Sequence, residues 1–344
     1  MQEIIVGAGQ AGQRFDKFLR KYIKEAPDSF LYKMLRKKNI TLNGKKADGR
    51  EKLAEGDRIA LFFADDTLRK FRGISEAGKA GGFRGNGGAA DTSKRREAER
   101  AYDRFGKLSV LYEDDHVLLV DKPAGMLSQK AERNDLSLNE WLTGYLLKSG
   151  GLTEEELRLQ RPGVCNRLDR NTSGIVICGK SLYGSQQMSR LLKERSLHKY
   201  YLLYVEGQMR GERRIEGFLR KDEAANKAEI LKKEEPGAEK IVTAYRPLDT
   251  RSDKTLVEVE LITGKTHQIR AHLASEGFPL IGDYKYGDRA KCDSRKRQYG
   301  ITHQLLHAYR VVFPEMPDKL AGLSGREIKA PLPELFRRLS ADTR

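Results

Sequence analysis

Near the start of the chain, Phe15, Phe18, Leu19, Tyr22 and Ile23 recur at i, i+3, i+4, i+7 and i+8. That spacing places them on one face of an amphipathic helix. A second helix is expected to start at Ser29, whose hydroxyl can cap it, with Leu31, Met34 and Leu35 on the apolar face. Its other face carries Lys33, Arg36, Lys37 and Lys38. ITLNGKKA then reads as a short strand with an Asn-Gly turn, and EGDRIALFF as a further strand. Residues 1–64 are therefore predicted to form a small basic α/β domain.

The pattern then lapses. Between Gly73 and Gly88 seven of sixteen residues are glycine, and Lys94-Arg95-Arg96 follows. Such a stretch cannot bury enough apolar surface to offset its ordering entropy, so residues 65–105 are expected to be a flexible basic linker.

From 106 to 344 regular patterns return. HVLLVDKPAG is a buried strand running into a Pro-Gly loop, and GIVICGK is another short apolar strand. HKYYLLYVEG and TLVEVELITG read as strands, the second with clean alternation. Residues 183–195 read as a helix with Met188, Leu191 and Leu192 inward, and THQIRAHLASEG as a helix stopped by Gly277. Strands and helices do not alternate regularly. The expected fold class is therefore α+β, with a mixed, largely antiparallel sheet flanked by helices.

Charge sharpens this picture. Lys plus Arg number 65 against 49 Asp plus Glu, a net charge of +16, and the pI is near 9.6. That excess argues for a polyanionic partner, nucleic acid before membrane. Cys165, Cys178 and Cys292 are odd in number and lack metal or disulfide spacing, which fits a reducing, cytoplasmic setting. No signal peptide is visible, and apolar runs such as Val117–Val120 are too short to span a bilayer.

Three motifs compete for attention without carrying chemistry. GAGQAG at Gly7–Gly12 fits a dinucleotide fingerprint, but no second buried strand follows where the ribose carboxylate should sit. His303 and His307 in HQLLH have the spacing of a helical zinc pair, yet lack the glutamate and an obvious third ligand. His267 and His272, five apart, do not share one helical face. No metal site is expected.

The chemistry is sought instead in RPGVCNRLDRNTSG, Arg161–Gly174, where Asp169 stands between Arg167 and Arg170. A neighbouring cation favours the charged form of a carboxylate. An ionised, positioned carboxylate is a competent nucleophile towards an electrophilic sugar carbon or an activated ring carbon. Glycoside hydrolysis normally needs a second carboxylate, and none stands beside Asp169 in this motif. The leaving group must then need little protonation, or must never leave the site. Uracil meets both conditions. Without further context, Asp169 reads first as a turn or cap residue in an Arg-Leu-Asp-Arg loop.

NRLDRNTSG closely resembles the signature of the RluA-type family of RNA pseudouridine synthases, usually His-Arg-Leu-Asp followed by Thr-Ser-Gly. HKYYLLYVEG, with Lys199 and Tyr201 at the family's Lys-x-Tyr, and LITGKTHQIRAHL, with Arg270, match in the same order. YEDDHVLLVDKPAGM resembles the family's opening strand, and residues 1–64 are similar to an S4-like RNA-binding domain. One departure is Asn166, where the family commonly has histidine.

The resemblance implies a pseudouridine-synthase-type catalytic domain over 106–344 that isomerises uridine without a cofactor. It implies that Asp169 is the nucleophile and that Arg167 enters the RNA stack as the target base is extruded. Tyr201 would pack on the flipped uracil or assist proton transfer, and Arg270 would pair with Asp169. Lys33, Arg36, Lys37 and Lys38 would bind RNA phosphates. The implied substrate is large-subunit ribosomal RNA, or the assembling large subunit, acted on by a monomer. The competing functions are an inactive RNA-binding assembly protein, an enzyme acting on transfer RNA, and a nicotinamide enzyme built on GAGQAG.

Overall fold

The computed structural model describes residues 1–7, 9–72, 86–159, 161–222 and 227–341. The first unit contains β1 (Gln2–Ile5), α1 (Phe15–Tyr22), α2 (Asp28–Arg36), β2 (Ile40–Leu42), β3 (Lys45–Lys46), β4 (Arg58–Leu61) and α3 (Asp65–Arg72). Its strands form an antiparallel sheet in the order β1-β4-β2-β3. Phe15, Phe18, Leu19 and Ile23 from α1, with Leu31, Met34 and Leu35 from α2, are buried against Ile40, Ile59 and Leu61. The helical periodicity thus marks the faces that pack. GAGQAG, whose Ala8 lies outside the described residues, leaves a strand paired antiparallel and builds no βαβ unit.

Two expectations for this half need correction. Ser29 does not cap α2: the helix starts at Asp28 after Pro27, and no side chain bonds its N-terminus. Proline presets the φ needed at the helix entrance, and Asp28 complements the positive end of the helix dipole. Residues 65–105 are also not a uniform flexible linker. Their ends are helical, in α3 and in α4 (Asn86–Phe105), while residues 73–85 lie outside the described residues. Leu68 and Phe71 of α3 pack into the first unit, Phe71 against Phe30 with ring centroids 4.6 Å apart. The first unit therefore extends to residue 72.

The second part begins with α4, not at residue 106. It continues through β5 (Ser109–Glu113), β6 (Val117–Lys122), α5 (Leu138–Ser149), α6 (Glu154–Leu159), β7 (Gly163–Val164), β8 (Ser173–Gly179), α7 (Leu182–Glu194) and β9 (His198–Glu206). Then come β10 (Arg213–Asp222), β11 (Lys227–Leu231), β12 (Ala238–Thr250), β13 (Lys254–Leu261), α8 (Gln268–Ser275) and α9 (Arg289–Tyr299). β14 (Leu306–Val312), β15 (Glu327–Lys329) and α10 (Glu334–Ala341) complete it. One sheet runs β11-β10-β12-β13-β9-β14-β8-β6-β5, and only the β14–β8 pair is parallel.

β6 and β8 explain their own unbroken apolar runs. Leu118, Val120, Val176 and Cys178 face one core, while Val117, Leu119, Ile175 and Ile177 face the other. A strand buried on both faces has no reason to alternate. At the β8–β14 seam, Gly174 has φ +109°, and a Cβ there would stand 2.2 Å from the Ala308 carbonyl oxygen. The parallel pairing therefore requires glycine at that position.

α4 lies on α5, with Ala98 and Ala101 buried and Trp141 stacked between Tyr102 and Tyr145. Trp141 Nε1 donates to the Gly106 carbonyl at 2.7 Å. The helices approach at Gly144, where a Cβ would meet the Ala98 carbonyl oxygen at 2.4 Å. Gly144→Ala should gain about 1 kcal/mol in helix propensity, but forcing the helices apart should cost more, for a net loss of roughly 1–2 kcal/mol. Urea unfolding of the full chain measures this, and a variant as stable as wild type would show that α4 is not held on α5.

Candidate active site

The site is built on the loop between β7 and β8, and nearly every residue of that loop is fastened. Asn166 Oδ1 accepts from Ile177 N at 2.7 Å and Asn166 Nδ2 donates to the Ile175 carbonyl at 3.4 Å, both on β8. An asparagine can therefore brace this loop by itself. Ser128 Oγ donates to the Leu168 carbonyl and accepts its N–H, each at 3.0 Å. Thr172 N closes the turn onto the Asp169 carbonyl at 3.0 Å.

Lys122, at the end of β6, is fully buried and ties this loop to the next. Its Nζ donates to the carbonyls of Met126 at 2.7 Å, Pro123 at 3.0 Å and Arg170 at 3.1 Å. Burial pulls its pKa down to about 7, while Asp169 and then Asp121 favour the charged form. Three carbonyl acceptors match the three donors of an ammonium, so we take the protonated form as the one that holds the loop.

Asp169 is held by α8, which carries Arg270. Arg270 Nη1 donates to Asp169 Oδ2 at 3.0 Å. The same guanidinium grips the fully buried Asp283 with Nε at 2.7 Å and Nη2 at 2.8 Å. Burial opposes the charge on Arg270, but Asp283 and then Asp169 more than offset this and raise its pKa. Asp283 Oδ1 also accepts the N–H groups of Lys285 and Tyr286. Among the described residues, Asp169 Oδ1 accepts no hydrogen bond, and the side chain remains 26% exposed. One carboxylate oxygen is fixed and the other is free.

Gln268 explains why α8 can aim Arg270. Its Oε1 accepts from Thr263 Oγ1 and Lys265 N, and its Nε2 donates to the Val242 carbonyl and Thr243 Oγ1. All four contacts lie at 2.9–3.1 Å, so the first turn of α8 is locked onto β12. His267 stands just before it, with Nε2 3.8 Å from Asp169 Oδ2 and Nδ1 3.0 Å from Tyr286 Oη. Tyr201, on β9, is buried on the same side as the core residues Leu203 and Val205. Burial first, and the Asp169 charge second, raise the pKa of its phenol and keep it protonated.

The structure thus pairs Asp169 with Arg270 and buries Tyr201 within reach of the Asp169 charge, with Arg167 exposed on the same loop and free of side-chain partners among the described residues. Lys33, Arg36, Lys37 and Lys38 are exposed at the end of α2 and the turn after it, in the other unit. They too make no side-chain hydrogen bond or ion pair among the described residues. Sequence reasoning missed Lys122, His267, Asp283 and Tyr286. A lysine ending a buried strand was a usable signal for the first, whereas GDYKYG holds nothing that marks Asp283 or Tyr286.

His307 and His272 behave as packing groups. His307 lies on a strand, fully buried, with Ser173 Oγ 2.8 Å from its Nδ1, and burial pulls its pKa down to about 4. His272 is likewise held down to about 4 by burial, beside Thr243 Oγ1 at 3.0 Å. Among the described residues, no three His, Cys, Asp or Glu side chains gather as metal ligands. No described helix is long and apolar enough to cross a membrane.

Residues 116–275 match the family model described as RNA pseudouridylate synthase. The ribosomal large subunit pseudouridine synthase C of Vibrio cholerae is 29% identical over 339 residues, covering 96% of this chain and 93% of that protein. The Vibrio vulnificus protein of that name is 27% identical, with coverage of 98% and 95%, and that of Escherichia coli is 28% identical, with 90% and 88%. In fold, the chain is similar to human RNA Pseudouridylate Synthase Domain Containing 4, with a TM-score of 0.54 and 21% identity. That likeness covers 72% of this chain and 95% of the human one.

Asp283→Asn should leave the Arg270 cation buried with only Asp169 as a charged partner. Removing one member of a buried pair costs about 3–5 kcal/mol, and we expect a loss near the lower figure because Asp169 remains. Urea unfolding at neutral pH tests this. A change below about 1 kcal/mol, the ordinary effect of a surface substitution or less, would mean that Asp283 is not the anchor of Arg270.

Proposed function

The chain belongs to the RluA-type family of RNA pseudouridine synthases, and on that premise we propose that it isomerises uridines of large-subunit ribosomal RNA with Asp169 as the nucleophile. The observation that carries this reading is the asymmetry of Asp169. Arg270 holds Oδ2 and leaves Oδ1 open to the site. Asp283 cannot serve as a second acid or base, because it is fully buried and both of its oxygens are engaged. A lone carboxylate suits a reaction in which uracil is detached but kept.

In this reaction Asp169 attacks the sugar or the uracil ring and the bond from ring nitrogen 1 to the sugar breaks. The uracil turns, carbon 5 bonds to the sugar, the bond to Asp169 breaks and frees its carboxylate, carbon 5 gives up its proton and nitrogen 1 gains one. Nothing is oxidised and no group is transferred, so no cofactor is required. Tyr201 supplies an apolar, protonated ring wall. Arg167, exposed and without partners among the described residues, is free to enter the space left by the extruded base. Extrusion costs a few kcal/mol, which stacking and phosphate contacts must offset.

The ribosomal assignment is supported by the names of relatives that span nearly the whole chain. The first unit supplies binding through Lys33, Arg36, Lys37 and Lys38, whose charges project from one helix end into solvent.

Asp169→Asn keeps the side chain's size and removes its charge. It should abolish release of tritium from carbon 5 of labelled uridine while RNA affinity and unfolding free energy stay near wild type. Release at the wild-type rate would overturn the assigned nucleophile, and activity on transfer RNA alone would overturn the ribosomal substrate. Lys37→Ala with Lys38→Ala should weaken binding across RNA sequences and make the log–log salt slope shallower by about 0.7 per lost contact on single strands. An unchanged affinity and slope would place the RNA contacts elsewhere.

A further inference from the structure

His267 occupies a place that a structural histidine does not need. It precedes α8 with φ 57° and ψ 14°, the left-handed region that a non-glycine residue seldom adopts. Backbone strain of this kind persists only where the surroundings over-determine it. Here the four bonds of Gln268 hold the next residue in place. Glycine stands three positions earlier, at Gly264, in a conformation that does not require it. The strained position carries an imidazole instead.

Its neighbours favour one tautomer over the other. Tyr286 Oη accepts the Ala228 N–H at 2.7 Å and lies 3.0 Å from His267 Nδ1. If the phenol donates its single hydrogen to Nδ1, the ring proton sits on Nε2 and points at Asp169 Oδ2, 3.8 Å away. The other tautomer would set the Nε2 lone pair against a carboxylate oxygen, which is repulsive. The charged and titratable groups around the ring are Asp169, Asp283, Arg270, Lys285 and Tyr286. Burial first lowers the His267 pKa; Asp169 opposes this, and Arg270 and Lys285 add to it, so the net shift is below the ordinary 6.5.

We propose that His267 is a positioning residue for Asp169, a neutral imidazole whose Nε2–H closes the side of Oδ2 that Arg270 leaves open. It rests on the reading of Asp169 as nucleophile. Arg270 alone constrains Oδ2 from one direction, and the carboxylate could still turn about its last bond. A donor on a second side restricts that rotation and leaves Oδ1 as the attacking oxygen. At 3.8 Å the contact is electrostatic in the free protein, and a small turn of the carboxylate brings it to hydrogen-bond length. Neutrality is part of the device. An imidazolium would form a second ion pair with Asp169 and withdraw the charge that the attack requires.

The test uses the full chain, a large-subunit ribosomal RNA transcript tritiated at uridine carbon 5, and single-turnover rates at saturating RNA. His267→Ala should slow the rate roughly ten- to hundredfold, as a misplaced reacting group does, with RNA affinity within about twofold of wild type on the same argument. His267→Gln, which restores an N–H donor, should recover most of the rate. Protonation of His267 should limit the wild-type rate on the acid side. That limb should retreat to lower pH in His267→Ala and move to higher pH in Tyr286→Phe, which loses the donor to Nδ1. A wild-type rate and pH profile in His267→Ala, or a loss confined to RNA affinity, overturns the proposal. So does failure of His267→Gln to exceed the alanine variant when both have the wild-type melting temperature. Asp169→Asn runs alongside: turnover there would overturn the nucleophile itself, whereas a dead Asp169→Asn with an unaffected His267→Ala removes only the role of His267.

Discussion

Arg270 carries a charge into an interior where it is only 7% exposed, and two carboxylates meet it there, Asp283 with two bonds and Asp169 with one. Taking such a cation out of water costs several kcal/mol, which a single imperfect contact would not offset. Asp283 removes most of that cost with two short, parallel bonds, and a guanidinium gripped in this way cannot swivel. Its remaining Nη1 then points in one direction, at Asp169. The ion pair is better understood as a means of aiming than as a source of stability. Asp283 sets Arg270, Arg270 sets Asp169, and Gln268 keeps the helix that carries the arginine in register with β12.

The sheet is what lets these pieces meet. Asp169 and Arg270 are 101 residues apart in the chain, and their elements are joined through β9 and β14. β14 runs parallel to β8 beside the loop that carries Asp169, and the joint closes only because Gly174 lets the Ala308 backbone approach. Ser128 and Lys122 hold the loop from the β6 side, while Asn166 holds it to β8. Loops usually carry more motion than the elements they join. This one is fastened from three directions, which is the preorganisation that the proposed role of Asp169 calls for.

What could be read from sequence follows the range of each interaction. The α1 face, the doubly buried β6 and β8, and the helix ended by Gly277 are governed by neighbours within eight residues, and their patterns are plain. Asp169, Arg270 and Tyr201 were legible through resemblance to a family, since no local rule links residues so far apart. Asp283 and Tyr286 act only through partners that folding brings near, so GDYKYG reads as an ordinary loop. The helical ends of residues 65–105 failed for a related reason. Glycine content lowers intrinsic helicity, but Ala98, Ala101 and Tyr102 pack on α5, and tertiary burial outweighs propensity.

The distribution of charge separates encounter from chemistry. The chain has a net charge of +16, yet Arg270, Asp169 and Asp283 form a compact set in which one cation stands against two carboxylates. A field that extends over the surface is screened within about 8 Å at physiological salt, and it governs how often and how tightly a polyanion arrives. The Arg270–Asp283 pair is shielded from that screening, because little water or salt reaches it. Lys33, Arg36, Lys37 and Lys38 belong to the first regime and have no part in the second. On the proposed function, a base delivered by phosphate contacts would meet a carboxylate whose direction is already fixed by folding, independently of the surface charges.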